Sequence, residues 1–84
     1  MVSYDFNGKV ALVTGASGGI GRATAIAFAR AGARVLVADV NEAGGTETAA
    51  MIAGAGGTAI FQRCDVSDTA DVQAMVNRAT SEWG

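Results

Sequence analysis

The stretch from Lys9 to Gly21 reads KVALVTGASGGIG, and its order of residue types decides the fold. Lys9 to Thr14 is a short and almost continuous apolar run, a pattern typical of a strand buried on both faces of a parallel sheet. Gly15 to Gly19 interrupts this run, and apolar residues return at helical spacing from Gly19 to Ala31. The stretch therefore predicts a strand that leads through a glycine-rich turn into a helix. The predicted apolar stripe of this helix consists of Ile20, Ala23, Ala27, Phe28 and Ala31.

The same alternation of strands and helices continues to the end of the chain. Strands that alternate with helices of this length form parallel sheets whose faces are covered by the helices. We therefore predict a three-layer α/β fold in which the order β-α-β-α-β-α builds a parallel three-stranded sheet, with residues 1–84 as one domain. The other predicted elements are a strand over Arg34 to Asp39, a helix over Glu42 to Ala53 capped by Asn41, a strand over Thr58 to Arg63, and a helix capped by Ser67 or Asp68.

The two later helices differ in their patterning. Gly44 and Gly45 weaken the first turn of the second predicted helix, each by about 1 kcal/mol relative to alanine. The third predicted helix has a regular apolar stripe at helical spacing, which indicates one buried face. Its predicted buried residues are Val72, Met75, Val76, Ala79 and Trp83.

Composition excludes several classes of protein. The 84 residues carry 8 acidic and 6 basic side chains, and the net charge of −2 without a basic stripe argues against nucleic acid as a partner. With no His and a single Cys, the chain offers neither a zinc site nor a disulfide framework. No apolar run approaches the roughly 18 residues of a membrane span. The first six residues lack the basic and apolar regions of a secretory signal, so we expect a cytoplasmic protein without a membrane partner.

The glycine-rich turn suits a phosphate-containing ligand. Free backbone N–H groups and the helix dipole make the start of a helix attractive to anions, provided that no side chain blocks the approach. We expect Gly15 to permit the tight exit from the strand, Gly19 to admit a pyrophosphate, and Gly21 to let the helix pack closely. The spacing differs from G-x-G-x-x-G, because Ser17 and Thr24 occupy positions where that motif would have glycine. The turn is not a P-loop either, because no Gly-Lys-Ser/Thr sequence follows it. Tight packing without a ligand remains an alternative interpretation of the turn.

The motif over Thr14 to Gly21, T-G-x-x-x-G-x-G, resembles the cofactor motif of the short-chain dehydrogenases/reductases, a Rossmann-fold family. The resemblance covers the whole chain, but only about the first third of a usual family member. It implies that the domain is the N-terminal half of a Rossmann-type NAD(P)-binding domain. By the same resemblance Ser17 and Gly18 line the pyrophosphate of the cofactor, and Ile20 lies near it.

Asp39 ends the second predicted strand, 24 residues after Gly15, close to the offset of about 20 residues for the carboxylate that holds the adenosine ribose. A carboxylate can accept hydrogen bonds from both ribose hydroxyls and repels a 2′-phosphate, which favours NAD over NADP as the cofactor. Members of the family that prefer NADP often carry a basic residue in places that Ser17 and Val40 occupy here. Arg22 is nearby, but we expect it on the surface of the helix. An ordinary acid at a strand end is the alternative for Asp39.

Asp65 and Val66 follow the third predicted strand. The resemblance implies that this pair meets adenine, with the Asp65 carboxylate on the exocyclic amine and the Val66 backbone on a ring nitrogen. Asp65 capping the following turn is the competing interpretation. The acidic residues Asp65, Asp68 and Asp71 describe a capped helix start better than a metal site, and Cys64 is expected in the core because no general base accompanies it.

The resemblance implies hydride transfer between nicotinamide and an alcohol or carbonyl, performed by a Tyr whose pKa is lowered by a Lys four residues later. Neither this Tyr-x-x-x-Lys pair nor the expected Asn-Asn-Ala-Gly run occurs here, since the only Tyr is Tyr4 and the only Lys is Lys9. We therefore assign no catalytic residue and expect no catalysis by these 84 residues alone. Two hypotheses follow: the cofactor-binding segment of an NAD-dependent oxidoreductase, or a stand-alone, non-catalytic module that binds a nucleotide or associates with itself.

The first strand carries a further expectation. In the strand order of the resembled family, 3-2-1-4-5-6, the first strand is central and has the fourth beside it. Without a fourth strand, Lys9 to Thr14 becomes an exposed apolar edge. We predict that two copies of the chain pair through this edge.

Overall fold

Three strands and three helices alternate along residues 6–84, which are the residues that the computed structural model describes. Residues 1–5 lie outside this range. They include Tyr4 and most of the N-terminal segment for which a secretory signal was excluded. The elements are β1 (Val10–Thr14), α1 (Gly19–Arg30), β2 (Arg34–Asp39), α2 (Glu42–Gly54), β3 (Thr58–Arg63) and α3 (Thr69–Trp83).

The strands form one parallel sheet in the order β1-β2-β3. The register places Thr14 opposite Ala38, and Ala38 opposite Gln62, so the three strands end nearly level. All three carboxyl ends therefore meet at one edge of the sheet, which we call the carboxyl edge. The predicted α/β fold with a parallel three-stranded sheet is confirmed.

Strand β2 is the centre of the domain. Its residues Val35, Leu36, Val37 and Ala38 have no exposed surface. Side chains alternate between the two faces of a strand, and each face here carries its own core. Val35 and Val37 belong to the core beneath α1 and α2, and Leu36 and Ala38 to the core beneath α3. Helices on both faces make the domain three-layered, as predicted.

The predicted apolar stripe of α1 is wrong in most of its positions. Ile20 is 87% exposed, and Ala23 and Ala27 are exposed as well. The helix instead buries Ala25 completely, beside partly buried residues that follow it at helical spacing. The reason is Gly21, which lies against the end of β1 and turns its own face of the helix to the sheet. The partly buried residues of this face are Ile26, Phe28 and Ala29.

The prediction for α3 holds at all but one position. Met75 and Ala79 are buried against β2, and Val72 and Trp83 pack partly buried beside them. Val76 is exposed. None of the helices within residues 6–84 has the length and apolar character needed to cross a membrane.

Strand β1 lies at one edge of the sheet. Of its residues only Val13 is buried, while Val10 and Leu12 are 41% and 40% exposed. Burial on both faces, which the apolar run alone suggests, is therefore wrong for β1 and right for β2. The run instead forms an exposed apolar edge of the three-stranded sheet, as expected above. An apolar depression of about 360 Å³ borders the edge and reaches Phe6 and Phe28.

Helix α2 depends on the two glycines that weaken its first turn. Asn41 caps the helix as predicted, accepting a hydrogen bond from the Gly44 N–H at 3.0 Å. Gly45 is buried, and a β-carbon at this position would collide with the ring of Phe61 on β3. The lost helix propensity is thus the consequence of a close contact between α2 and the sheet.

We expect Gly45→Ala to destabilise the fold by about 1–3 kcal/mol, because overpacking against Phe61 outweighs the gain in helix propensity. Gly54→Ala is the matched control, since a β-carbon at Gly54 of the same helix meets nothing within 4 Å. Urea unfolding of both variants measures the difference. Equal stability of the two variants would contradict the close contact.

Candidate functional site

Three loops meet at the carboxyl edge, and the backbone holds them together beyond the strands. The Ala16 N–H donates to the Ala38 carbonyl at 3.3 Å, and the Cys64 N–H donates to the Asp39 carbonyl at 3.2 Å. These hydrogen bonds continue the ladder past Thr14 and Arg63, the last residues of β1 and β3. The glycine turn, Asp39 and the loop that begins at Cys64 are therefore neighbours, as expected for the crevice at the carboxyl ends of a parallel sheet.

The geometry of the glycine turn agrees with the roles predicted for Gly15 and Gly21. Gly15 and Gly19 adopt φ values of +63° and +56°, a region that disfavours other residues. Gly21 packs so tightly that a β-carbon would clash with the backbone carbonyl of Gly15. A β-carbon on Gly15, Gly18 or Gly19, by contrast, would meet nothing within 4 Å. The outer side of the turn is therefore open to a ligand, while its inner side is closely packed.

The start of α1 offers unpaired donors on that open side. The first helical hydrogen bond runs from the Arg22 N–H to the Gly18 carbonyl at 3.2 Å. The N–H groups of Gly18, Gly19 and Ile20 make no hydrogen bond with residues 6–84, and no side chain caps the helix. Unpaired donors at a helix start, together with the helix dipole, are chemically suited to an anion such as a phosphate.

Asp39 is bound to the glycine turn. Its Oδ2 accepts a hydrogen bond from the Ser17 N–H at 3.1 Å, and its Oδ1 accepts one from the Asn41 N–H at 2.9 Å. The hydrogen bond from Asn41 is the main reason why the pKa of the Asp39 carboxyl lies below its ordinary value of 3.8; the Ser17 N–H adds to it, and partial burial opposes both. The carboxylate is thus ionised at neutral pH, and each of its oxygens keeps a lone pair for a further donor.

Asp65 organises the loop after β3. Its Oδ1 accepts hydrogen bonds from the Ser67 N–H at 2.9 Å and from the Ser67 hydroxyl at 2.6 Å, which hold the pKa of the Asp65 carboxyl below its ordinary value. The interpretation of Asp65 as a turn cap is confirmed, and contact with adenine stays a prediction. Asp68 caps α3, and Asp71 accepts the Asp65 N–H at 3.0 Å and pairs with Arg63 at 3.6 Å. These carboxylates therefore serve the helix start.

Exposed apolar side chains surround the same edge. Ile20, in the first turn of α1, is 87% exposed, and Val40 and Val66, which follow β2 and β3, are 54% and 62% exposed. Apolar residues that gather at one place on a surface mark a binding site more often than isolated ones do.

Cys64 behind them is buried, and burial raises the pKa of its thiol, so it is a core residue as expected.

The structure adds one group that the sequence analysis missed. Arg22 is not a surface residue: its side chain is 24% exposed and reaches back from α1 to the turn and to α2. Its partners include Thr48, which is completely buried, and Glu47. The sequence does contain one signal for this role of Arg22. The helix dipole disfavours a positive charge in the first turn of a helix, so an arginine there indicates that its side chain has specific partners.

The comparisons with known proteins agree on one family. Residues 9–84 match the family model described as short chain dehydrogenase. The chain is 49% identical over 96% of its length to a short chain dehydrogenase/reductase of Aspergillus oryzae, of which it covers 31%. It is 46% identical over 99% of its length to the D-threitol dehydrogenase of Mycolicibacterium smegmatis, of which it covers 33%.

A solved structure extends the agreement to three dimensions. A short chain dehydrogenase/reductase from Burkholderia phymatum in complex with NAD superposes with a TM-score of 0.92 at 41% identity, over 96% of this chain and 29% of that one. The chain therefore belongs to the short-chain dehydrogenase family and has its Rossmann fold. It spans about a third of the length of these curated relatives.

The hydrogen bonds to Asp39 predict how the protein responds to acid. A carboxyl whose pKa is lower in the folded than in the unfolded state stabilises the fold at pH values above the pKa of the unfolded state. This contribution is lost as the pH falls through the pKa of the folded state. We therefore expect the difference in unfolding free energy between wild type and Asp39→Asn to be constant from pH 5 to pH 8 and to shrink only below the ordinary pKa of 3.8.

A ¹³C NMR titration of the Asp39 carboxyl measures the pKa directly. A midpoint above 3.8 would show that the carboxylate does not hold the Ser17 and Asn41 N–H groups as the structure describes.

Proposed function

We propose that this chain is the cofactor-binding part of an NAD-dependent short-chain oxidoreductase. In a longer protein that contains it, residues 1–84 form the N-terminal half of the Rossmann-type domain. They hold the adenosine and pyrophosphate of the dinucleotide.

One observation carries the proposal: the carboxylate of Asp39 is hydrogen-bonded to the N–H of Ser17, 3.1 Å away, inside the glycine turn. An acceptor suited to ribose hydroxyls and a set of free N–H donors suited to phosphate therefore lie side by side. A nucleotide has these two groups, ribose and phosphate, next to each other. A site that evolved only for close packing needs neither the free donors nor the ionised acceptor.

The residues present fit the dinucleotide. The open side of Gly15, Gly18 and Gly19 leaves space for phosphates to approach the backbone. The exposed apolar side chains of Val40 and Val66 suit the faces of an adenine ring, and Asp65 has an oxygen, Oδ2, without a partner among residues 6–84. The proposed contacts with the cofactor are those of Gly15, Ser17, Gly18, Gly19, Ile20, Gly21, Asp39, Val40, Asp65 and Val66.

The preference for NAD over NADP rests on charge. A 2′-phosphate would meet the ionised carboxylate of Asp39, and Ser17 and Val40 supply no compensating cation. Arg22, the nearest basic candidate, is already hydrogen-bonded to the turn and to α2 and paired with Glu47 at 3.0 Å. It is therefore not available to a phosphate on the ribose.

When bound, the nicotinamide of such a cofactor supplies a hydride to a carbonyl or removes one from an alcohol. The groups within residues 1–84 would hold the other end of the molecule. The Tyr-x-x-x-Lys pair that the family uses for proton transfer does not occur in this sequence, and the proposal assigns no catalytic residue to it.

Calorimetric titration of the chain with NADH, NADPH and AMP tests the proposal. We expect NADH to bind more tightly than AMP, because it adds a second phosphate on the glycine turn, and more tightly than NADPH. A folded chain that binds none of the three would refute the proposal.

Asp39→Ala tests the assignment of the ribose. Loss of hydrogen bonds to a charged acceptor should weaken NADH binding by about 1.5–3 kcal/mol, but the substitution also releases the Ser17 N–H. The decisive quantity is therefore the ratio of NADH to NADPH affinity, which should fall sharply. Glu42→Ala removes an exposed acid from the start of α2 and should leave the ratio nearly unchanged. An unchanged ratio in Asp39→Ala would show that the carboxylate does not face the ribose.

The exposed edge of β1 favours a second property for the 84-residue chain on its own. Unpaired backbone groups beside the half-exposed Val10 and Leu12 form a template for pairing, and we propose that two copies associate there. Sedimentation should show dimers in the wild type and monomers in Leu12→Lys. Met51→Lys, a control on the equally exposed surface of α2, should leave the dimer intact. A wild type that stays monomeric at high concentration would contradict the pairing.

A further inference from the structure

The backbone of Ser17 is held on both sides by charged side chains. Its N–H donates to Asp39 Oδ2 at 3.1 Å, and its carbonyl accepts from Arg22 Nη2 at 2.7 Å. One charge comes from the end of β2 and the other from the first turn of α1. Ser17 is thus fixed relative to two different elements, although it lies in a loop without regular secondary structure.

Arg22 uses most of its donors in this region. Nε donates to the Thr48 hydroxyl at 2.8 Å, Nη1 to Glu47 Oε1 at 3.0 Å, and Nη2 also to the Gly44 carbonyl at 3.1 Å. The planar guanidinium thereby joins the glycine turn to three residues of α2. A lysine ammonium, being a compact point charge, cannot present the same set of donors.

Thr48 adds a second contact between α2 and the glycine turn. Its side chain has no exposed surface, and its hydroxyl donates to the Ala16 carbonyl at 2.6 Å while it accepts from Arg22. Two successive carbonyls of the turn, those of Ala16 and Ser17, are therefore bound by side chains that also contact each other. The approach of α2 requires Gly44, where a β-carbon would lie 2.8 Å from the Ser17 carbonyl oxygen.

These contacts determine where the next N–H points. In a planar trans peptide the carbonyl and the following N–H point in opposite directions. Since the Ser17 carbonyl is drawn inward to Arg22, the N–H of Gly18 is turned away from it, and it makes no hydrogen bond with residues 6–84. Release of the carbonyl would free this peptide to rotate, because glycine at position 18 offers little resistance.

We infer that Arg22 is a positioning residue for the phosphate end of the nucleotide: by holding the Ser17 carbonyl against α2, with Thr48 beneath, it orients the Gly18 N–H toward the ligand. The inference rests on the proposed function but assigns a role outside the residues that contact the cofactor. Arg22 itself touches neither phosphate nor ribose. Its substitution should therefore affect ligands that carry phosphate and spare those that carry only adenine and ribose.

NMR titrations with ADP-ribose and with adenosine separate these two effects. In Arg22→Met we expect the affinity for ADP-ribose to fall about tenfold or more, the scale of one lost charge-assisted hydrogen bond, and the affinity for adenosine to change less than twofold. The amide resonance of Gly18 should shift in the free protein. Arg22→Lys should recover part of the affinity for ADP-ribose, and Arg30→Met, which removes an exposed cation from the same helix, should change neither ligand.

Thr48→Val provides a second variant in case Arg22→Met does not fold, because it leaves Arg22 in place and removes only the hydroxyl beneath it. The same selective loss is expected, and Thr46→Val, an exposed position on α2, is its matched control. Equal weakening of both ligands, or of neither, would overturn the inference by showing that Arg22 serves the fold alone. A wild type that binds neither ligand would instead refute the proposed function.

Discussion

Helix α1 begins so close to the end of β1 that Gly21 leaves no room for a side chain against the carbonyl of Gly15. Much of the domain depends on this approach. It places the first turn of α1 at the carboxyl edge, where its free N–H groups face outward, and it decides which side of the helix meets the sheet. Ala25, one turn later, is buried for that reason. Any larger residue at position 21 would move the helix, the turn and the donors together.

A second set of contacts stabilises the turn itself. Charged side chains bind its backbone groups, with Asp39 on an N–H and Arg22 on a carbonyl, while the buried hydroxyl of Thr48 binds the carbonyl before it. Hydrogen bonds to charged groups are stronger than those between neutral groups. Among residues 6–84 no buried side-chain nitrogen or oxygen lacks a hydrogen bond. The turn can therefore expose donors to a ligand without becoming a loose loop.

Much of this could be predicted from the sequence, because it depends on local patterns. The apolar runs located the strands to within one residue, and Asn41 marked the start of α2. For α3 the sequence left Ser67 and Asp68 as alternative caps, and the structure shows that Asp68 is the cap. The glycine spacing identified the turn and the family before any contact was known. The stripe of α1 was misplaced because alanine is common on both sides of that helix, so hydrophobicity alone did not identify the buried face. The role of Gly45 was missed because its contact, Phe61, lies on another element.

The sequence by itself determined the order of the elements, the glycine turn and the acid at the end of β2, because each depends on neighbours along the chain. Only the tertiary structure decided that Arg22 and Thr48 belong to the same site. Their partners are 22 to 32 residues away at Gly44, Thr48 and Ala16, and no local periodicity records such a pairing. The packing of α2 onto the turn brings these groups together. Because of that packing, an arginine that the sequence places on a helix surface is hydrogen-bonded to the backbone of the glycine turn.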